Sequence, residues 1–261
     1  RRGGGLIVAD ETGVAQLGMA WLNRSALWNE TQQAAWSPVT DAVHETNCHI
    51  FLQLWHRGAI VTPDFIEKNK IETLISSFKI QLKNKNNVWC DDEESDSRIF
   101  GIDILDSLFS ESFDQTILNN IYSKYISSTN KFSFVMANRL EFKKNNKGSG
   151  GGWHRDTFFS KQLKFILYLT DVNHDNGPFE YLPKSHFKSH KIKDIILRFN
   201  QNNIRRYANE NFKNVMQITG KAGDLIIVDT SGIHRGSPIK NGERIALTNY
   251  LSHKPFSKGV T

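Results

Sequence analysis

Apolar residues recur along this chain with two different periods. In the first sixty residues, Leu6-Ile7-Val8-Ala9 is a short apolar run of the kind that fills a buried strand, and His49-Ile50-Phe51-Leu52-Gln53-Leu54-Trp55 is a second. Between them, residues 31–46 carry apolar side chains at 35, 36, 39, 42 and 43. That spacing is helical, with Thr31 as the N-cap candidate. Pro38 falls inside the run and predicts a kink or a helix start there. Strand, helix and strand make a βαβ unit, which belongs in a parallel sheet with neighbours on both sides.

Residues 63–82 place apolar side chains at 65, 66, 71, 74, 75, 78 and 82, the stripe of an amphipathic helix, and a second helix is expected through 113–126. The acidic stretch Asp91-Asp92-Glu93-Glu94-Ser95-Asp96 reads as a solvated loop; it lacks the spacing and the glycine of an EF-hand calcium loop. Beyond residue 130 the texture turns to strands: 132–136, 165–169, 225–228 and 245–247, separated by Gly, Asn and Pro turns. Short strands without regular intervening helices favour a sandwich or jelly roll over a doubly wound sheet. The expected fold class is therefore mainly β with flanking helices, preceded by a partial βαβ segment.

Composition sharpens the division. All 21 lysines lie at or after Lys68, whereas four of the six tryptophans lie in residues 1–60. The net charge of +6 is a balance of −1 over residues 1–60 and +7 over residues 61–261. Two segments, 1–60 and 61–261, are expected on this ground. No apolar run approaches the roughly 20 residues of a membrane helix. Arg1-Arg2-Gly3-Gly4-Gly5 has no apolar signal core behind it. Cys48 and Cys90 are too few for a disulfide framework. These features point to a cytoplasmic protein with reduced thiols and no membrane partner. A charge of +6 permits an anionic partner without requiring nucleic acid, and none is expected.

The chemistry concentrates in the second segment. His154-Arg155-Asp156 is a His-x-Asp triplet, a pattern that this composition produces by chance about 0.5 times. Its setting carries the weight. On a strand, positions 154 and 156 project to one face and offer an imidazole and a carboxylate side by side. His234, after the strand pattern of 223–229, is the candidate third ligand. His, carboxylate and His on one face suit a non-haem Fe(II) oxygenase. Should 2-oxoglutarate be the electron source, its far carboxylate needs a cation. Arg244 lies beyond Gly236, Pro238, Asn241 and Gly242, a hairpin-like reversal that would return it to the same cavity.

Two resemblances become specific at these residues. The order and spacing of Trp153-His154-Arg155-Asp156, Asp175-Asn176-Gly177-Pro178, Leu182-Pro183-Lys184-Ser185-His186, Gly223-Asp224, His234-Arg235-Gly236 and Arg244 resemble the phytanoyl-CoA dioxygenase family over about residues 63–251. The resemblance implies a double-stranded β-helix (the cupin-type jelly roll), Fe(II), and 2-oxoglutarate and O2 as co-substrates. It implies His154, Asp156 and His234 as metal ligands, and Arg244 as the catalytic-site clamp that binds 2-oxoglutarate. The implied reaction hydroxylates a C–H bond of a small molecule with release of succinate and CO2. Halogenating relatives carry a small residue in place of the metal carboxylate, so Asp156 favours hydroxylation. Asn176-Gly177-Pro178 reads as a turn and His186 as a structural or rim residue.

The earlier run Ala35-Trp36-Ser37-Pro38-Val39-Thr40-Asp41-Ala42-Val43-His44, followed by Ile50 to Gly58, resembles old yellow enzyme over about residues 5–58. That family comprises flavin-dependent ene-reductases on a TIM barrel, and Gln53 matches its flavin-contacting Gln. A TIM barrel needs about 250 residues and eight βα units. This segment supplies two strands and a helix, and no later counterpart of the family's paired His/Asn, catalytic Tyr or phosphate loops follows. It is expected to be a truncated fragment without FMN or an activity of its own.

Other readings compete. An ene-reductase-related fragment rests on residues 5–58, and a non-catalytic jelly-roll binding module would keep the landmarks of the second segment without turnover. His154-Arg155-Asp156 is also the trio of the kinase catalytic loop, but Lys161 stands where that loop has Asn. Gly148-Ser149-Gly150-Gly151-Gly152 lacks the Gly-Lys-Ser/Thr ending of a phosphate loop and reads as a flexible connection. Lys184, Lys188, Lys191 and Lys193, with His186 and His190, form a basic stretch that would attract an anionic substrate; a solvated basic loop or helix is its plainer reading.

Overall fold

The computed structural model describes residues 6–13, 27, 29–55, 59–62, 65–126, 128, 130–158, 160–186, 196–200, 202, 204 and 215–255. The chain divides into two compact units, Arg1–Val61 and Thr62–Thr261.

The first unit holds β1 (Leu6–Gly13), α1 (Glu30–His44) and β2 (His49–Trp55). β1 and β2 pair in parallel, with Leu6 opposite His49 and Gly13 opposite Trp55. The N-cap of α1 is Asn29, not Thr31: the Asn29 side chain accepts from Gln32 N at 2.9 Å, and Thr31 falls inside the helix. Two residues earlier suffices because an Asx side chain satisfies the free N–H groups of the first turn. Pro38 sits inside α1. The helix buries none of its residues, and Ile7, Val39 and Phe51 are exposed among the described residues. Gln53 lies on β2; its side chain, with His56–Gly58, lies outside the described residues.

The helices of the second unit start later than their apolar patterns. α2 (Lys68–Gln81) replaces the helix expected from 63, because Phe65 N donates to Gly223 O at 2.8 Å instead of entering a helix. α3 (Ile102–Leu105) and α4 (Leu108–Glu111) are single turns. α5 (Gln115–Ile126) begins after Asp114, whose Oδ1 accepts from Thr116 N and Ile117 N at 2.9 and 3.0 Å.

A short strand, β3 (Ala59–Thr62), spans the division between the units. The strands that follow are β4 (Trp89–Cys90), β5 (Asp96–Phe100), β6 (Phe132–Glu141), β7 (Leu163–Tyr168), β8 (Phe179–Tyr181), β9 (Met216–Ile218), β10 (Leu225–Asp229), β11 (His234–Gly236) and β12 (Glu243–Ser252). Within the second unit the larger sheet runs β10-β7-β12-β6-β5-β4, and a smaller one runs β11-β8-β9. These pairs are antiparallel. The architecture is the jelly roll, a double-stranded β-helix. Two expectations are corrected. The acidic loop ends at Ser95, since Asp96 opens β5, and Asp91 Oδ1 turns back to accept from Ser95 N and Asp96 N at 2.6 and 2.9 Å. β11 and β12 do not form a hairpin; they belong to different sheets.

Strand alternation builds both the core and the cavity. Along β12, Ile245, Leu247 and Leu251 join one hydrophobic cluster, with Phe165 and Leu167 of β7 and Val135 and Ala137 of β6. Ile71, Leu74 and Phe78 of α2, Phe109 of α4, and Leu118 and Tyr122 of α5 cover that face. At roughly 1.5–3 kcal/mol for each large apolar side chain buried, this face supplies much of the drive to fold. The intervening residues, Arg244, Ala246, Thr248 and Tyr250 of β12 and Lys164, Ile166 and Tyr168 of β7, point to the opposite face and line a cavity.

Candidate metal centre

His154 and His234 meet at one side of this cavity. The expected strand at 154–156 is a bridge residue, His154, paired with both Arg198 and His234, and a bend at Asp156. His154 N donates to His234 O at 2.9 Å and His234 N to His154 O at 2.8 Å, while Asp156 N donates to Thr230 O at 3.0 Å. Main-chain bonds to two points of the 230–234 segment thus place all three side chains, where the sequence pattern assigned the task to strand alternation. His154 Nε2 lies 3.6 Å and His234 Nε2 3.8 Å from Asp156 Oδ1. One potential ligand atom from each residue lies within 4.8 Å of the others, a spacing able to hold a metal ion.

The tautomers suit that task. His154 Nδ1 is 2.8 Å from Gly152 O and His234 Nδ1 is 2.9 Å from Gly232 O. A carbonyl only accepts, so each Nδ1 carries the proton and each Nε2 presents a lone pair to the centre. His234 Nε2 is buried and has no hydrogen-bond partner, an arrangement costly without a ligand. Burial, followed by the neighbouring His154, holds the His234 pKa well below its usual value. For Asp156, burial favours the neutral acid, but the Lys164 ammonium outweighs it and holds the carboxyl well below its usual range. Lys164 Nζ stands 2.7 Å from Asp156 Oδ2.

The glycine run has a different role from the flexible connection expected. It is a tight turn: Gly151 N donates to Gly148 O at 3.2 Å, and Gly236 N donates to Ser149 O at 2.9 Å. Gly150 has φ +89°, and a Cβ there would lie 2.3 Å from His154 Cε1. The turn packs directly on the imidazole, and only glycine permits it.

Arg244 lines the same cavity from β12 and is buried. Its Nη1 donates to Gly177 O, and its Nε has no hydrogen-bond partner. Gly177 has φ +70°, as the Asn-Gly-Pro turn required, and its buried carbonyl orients the guanidinium. Burial lowers the Arg244 pKa. His186 stands apart from the metal cluster: its Nδ1 is 3.0 Å from Tyr181 OH. Lys188, His190, Lys191 and Lys193 lie outside the described residues. Sequence reasoning passed over Arg98 and Lys164, both lining the cavity. For Lys164 a signal existed: one lysine inside the otherwise apolar run Leu163–Leu169.

Two family models match overlapping parts of the chain. The NADH:flavin oxidoreductase / NADH oxidase family matches residues 1–99. A putative 12-oxophytodienoate reductase-like protein 1 of Arabidopsis thaliana is 41% identical over 61 residues, 23% of this chain and 19% of that protein. The chain thus spans about a fifth of the length of the curated relatives it matches. Among solved structures, the non-haem α-ketoglutarate-dependent epimerase SnoN from nogalamycin biosynthesis aligns with a TM-score of 0.57 at 11% identity, over 75% of this chain and 78% of that one. HygX from Streptomyces hygroscopicus, with nickel, 2-oxoglutarate and hygromycin B bound, aligns with a TM-score of 0.54 at 13% identity, over 77% and 85%. These two likenesses bear on the fold. The phytanoyl-CoA dioxygenase (PhyH) family matches residues 54–246, most of the chain, and the chain belongs to that family.

Proposed function

We propose that the second unit is an Fe(II)- and 2-oxoglutarate-dependent oxygenase that hydroxylates a C–H bond of a small molecule, releasing succinate and CO2. The observation that carries this reading is the convergence of His154 Nε2, Asp156 Oδ1 and His234 Nε2 beside a cavity that also holds a buried guanidinium. When bound, Fe(II) with 2-oxoglutarate supplies the O2-dependent oxidation that side chains alone do not perform.

The chain's own residues supply placement. His154 and His234 hold their Nδ1 protons on Gly152 O and Gly232 O, so both rings keep one orientation and one lone pair inward. Asp156 remains ionised in a buried place. Arg244 has its Nη1 fixed on the Gly177 carbonyl and an unpartnered Nε, and we assign it the far carboxylate of 2-oxoglutarate. The apolar cavity residues Met136, Ile166 and Phe179 displace water from the reacting end. Asp156 also supports hydroxylation over halogenation, since its carboxylate occupies the place a halide would need.

An anionic substrate is part of the proposal on the net charge of +7 over residues 61–261 alone, because Lys164 and Arg98 in the cavity wall pair with Asp156 and Asp96 and Arg244 is assigned to 2-oxoglutarate. We assign no flavin and no activity to residues 1–60. A cytoplasmic location is proposed on the cysteine count of two alone. No described helix is long and apolar enough to cross a membrane.

The reading is tested by turnover. Iron-loaded protein given 2-oxoglutarate, O2 and a panel of anionic small molecules should release succinate, with one substrate gaining an oxygen atom. Failure of properly loaded protein to release succinate with or without substrate contradicts it.

A further inference from the structure

We infer that Lys164 is a positioning residue that confines Asp156 to one metal-facing oxygen; the inference rests on the iron reading above. A carboxylate has two equivalent oxygens and can chelate a metal through both. Here they are sorted. Oδ2 stands 2.7 Å from Lys164 Nζ. Oδ1 is the oxygen that faces His154 Nε2 and His234 Nε2, at 3.6 and 3.8 Å. The ammonium is held by its strand. Lys164 lies on the cavity face of β7, opposite Tyr250 of β12, and its Nζ sits 4.4 Å from the Tyr250 ring centroid. Only 7% of the residue is exposed, so solvent cannot readily replace the carboxylate as its partner.

Occupying one oxygen has a consequence for the open side of the metal. Two imidazole nitrogens and a single carboxylate oxygen cap one face and leave the opposite face free. A co-substrate that chelates through two atoms, together with O2, uses all of that free face. A carboxylate bound through both oxygens would take part of it. Lys164 therefore preserves the vacancy on which the proposed chemistry depends, without touching the metal or the substrate.

The test uses the full chain loaded anaerobically with Co(II), whose visible d–d bands report coordination number and geometry without turnover. Wild-type protein should bind Co(II) and show one set of bands. Lys164→Met, which removes the ammonium but keeps the length of the stem, should shift those bands and lower their intensity as the second oxygen joins. Lys164→Arg, which keeps a positive charge beside Oδ2, should restore the wild-type bands. Superimposable spectra of wild type and Lys164→Met would overturn the inference. Should Lys164→Met not fold, Lys164→Arg and Lys164→Gln carry the test: Arg keeps the positive charge and should keep the wild-type bands, Gln loses it and should shift them, and superimposable spectra of the two would overturn it. Absence of Co(II) binding by the wild type would instead remove the metal-site reading itself.

Discussion

His154 and His234 are tied through their main chains, each donating its N–H to the other's carbonyl at 2.9 and 2.8 Å. Two residues 80 positions apart in the chain thereby present their imidazoles with ring centroids 4.4 Å apart. The same segments supply the carbonyls that fix both tautomers. The backbone, rather than a long strand, makes the centre, and its supporting turns should be as sensitive as its ligands.

Gly150 offers the sharpest case. Gly150→Ala places a methyl carbon 2.3 Å from His154 Cε1 and strains a backbone at φ +89°. Gly151→Ala strains φ +67° but meets only Arg198 Nη1 at 3.5 Å, an ordinary contact. Both should lose stability, by about 1–3 kcal/mol each. Only Gly150→Ala should also weaken metal binding, by about tenfold or more. Anaerobic Co(II) titration of the two variants checks this; equal affinities would show that the turn does not orient the imidazole.

Arg244→Met removes the buried guanidinium assigned to the far carboxylate of 2-oxoglutarate. Hydrogen bonds to charged groups are worth about 1.5–3 kcal/mol, so KM for 2-oxoglutarate should rise about 10- to 100-fold. Metal affinity should change little, because Arg244 is not among the ligands. Steady-state kinetics with 2-oxoglutarate varied, beside a metal titration, separates the two effects.

The depressed pKa of His234 makes the metal-free protein acid-sensitive in a defined window. Its folded-state pKa lies well below the ordinary 6.5, so below that pH the unfolded chain takes up a proton the folded one refuses. Stability is therefore lost as pH falls from 6.5 toward the lowered value. Asp156 adds a second loss below its ordinary 3.8, by the same sign. Tm of metal-free protein should fall from about pH 6.5 downward. His234→Gln should flatten the first part of that fall, and an unchanged profile would contradict the buried neutral imidazole.

All residues of the site belong to the unit Thr62–Thr261. A chain beginning at Ala59 should fold and bind Co(II) with the bands of the full protein. Loss of folding in that chain would show that the first segment is an integral part of the jelly-roll domain.

The sequence showed the candidate ligands more readily than the way they are held. His154, Asp156 and His234 were legible because few side chains bind a metal and their spacing matches a family pattern. Their support was not. β8, β9 and β11 are three residues each, too short for alternation to show. The sheet change between His234 and Arg244 depends on pairing partners distant in the chain, which local turn residues do not specify. Asn29 and Asp114 displaced helix starts because capping is decided by one side chain, whereas apolar periodicity is an average over several turns. Gly150 reads as flexibility in a sequence, and only the imidazole packed against it reveals the steric requirement. Lys164 was visible as a charge within an apolar strand, but its partner was not.

The central claim is that His154, Asp156 and His234 hold iron to which 2-oxoglutarate binds. Its most direct test is the visible absorption of the full protein loaded anaerobically with Fe(II) and then given 2-oxoglutarate. A metal-to-ligand charge-transfer band should appear in the wild type and be lost in Asp156→Ala. No band in properly loaded wild-type protein, or an equal band in Asp156→Ala, would contradict the account.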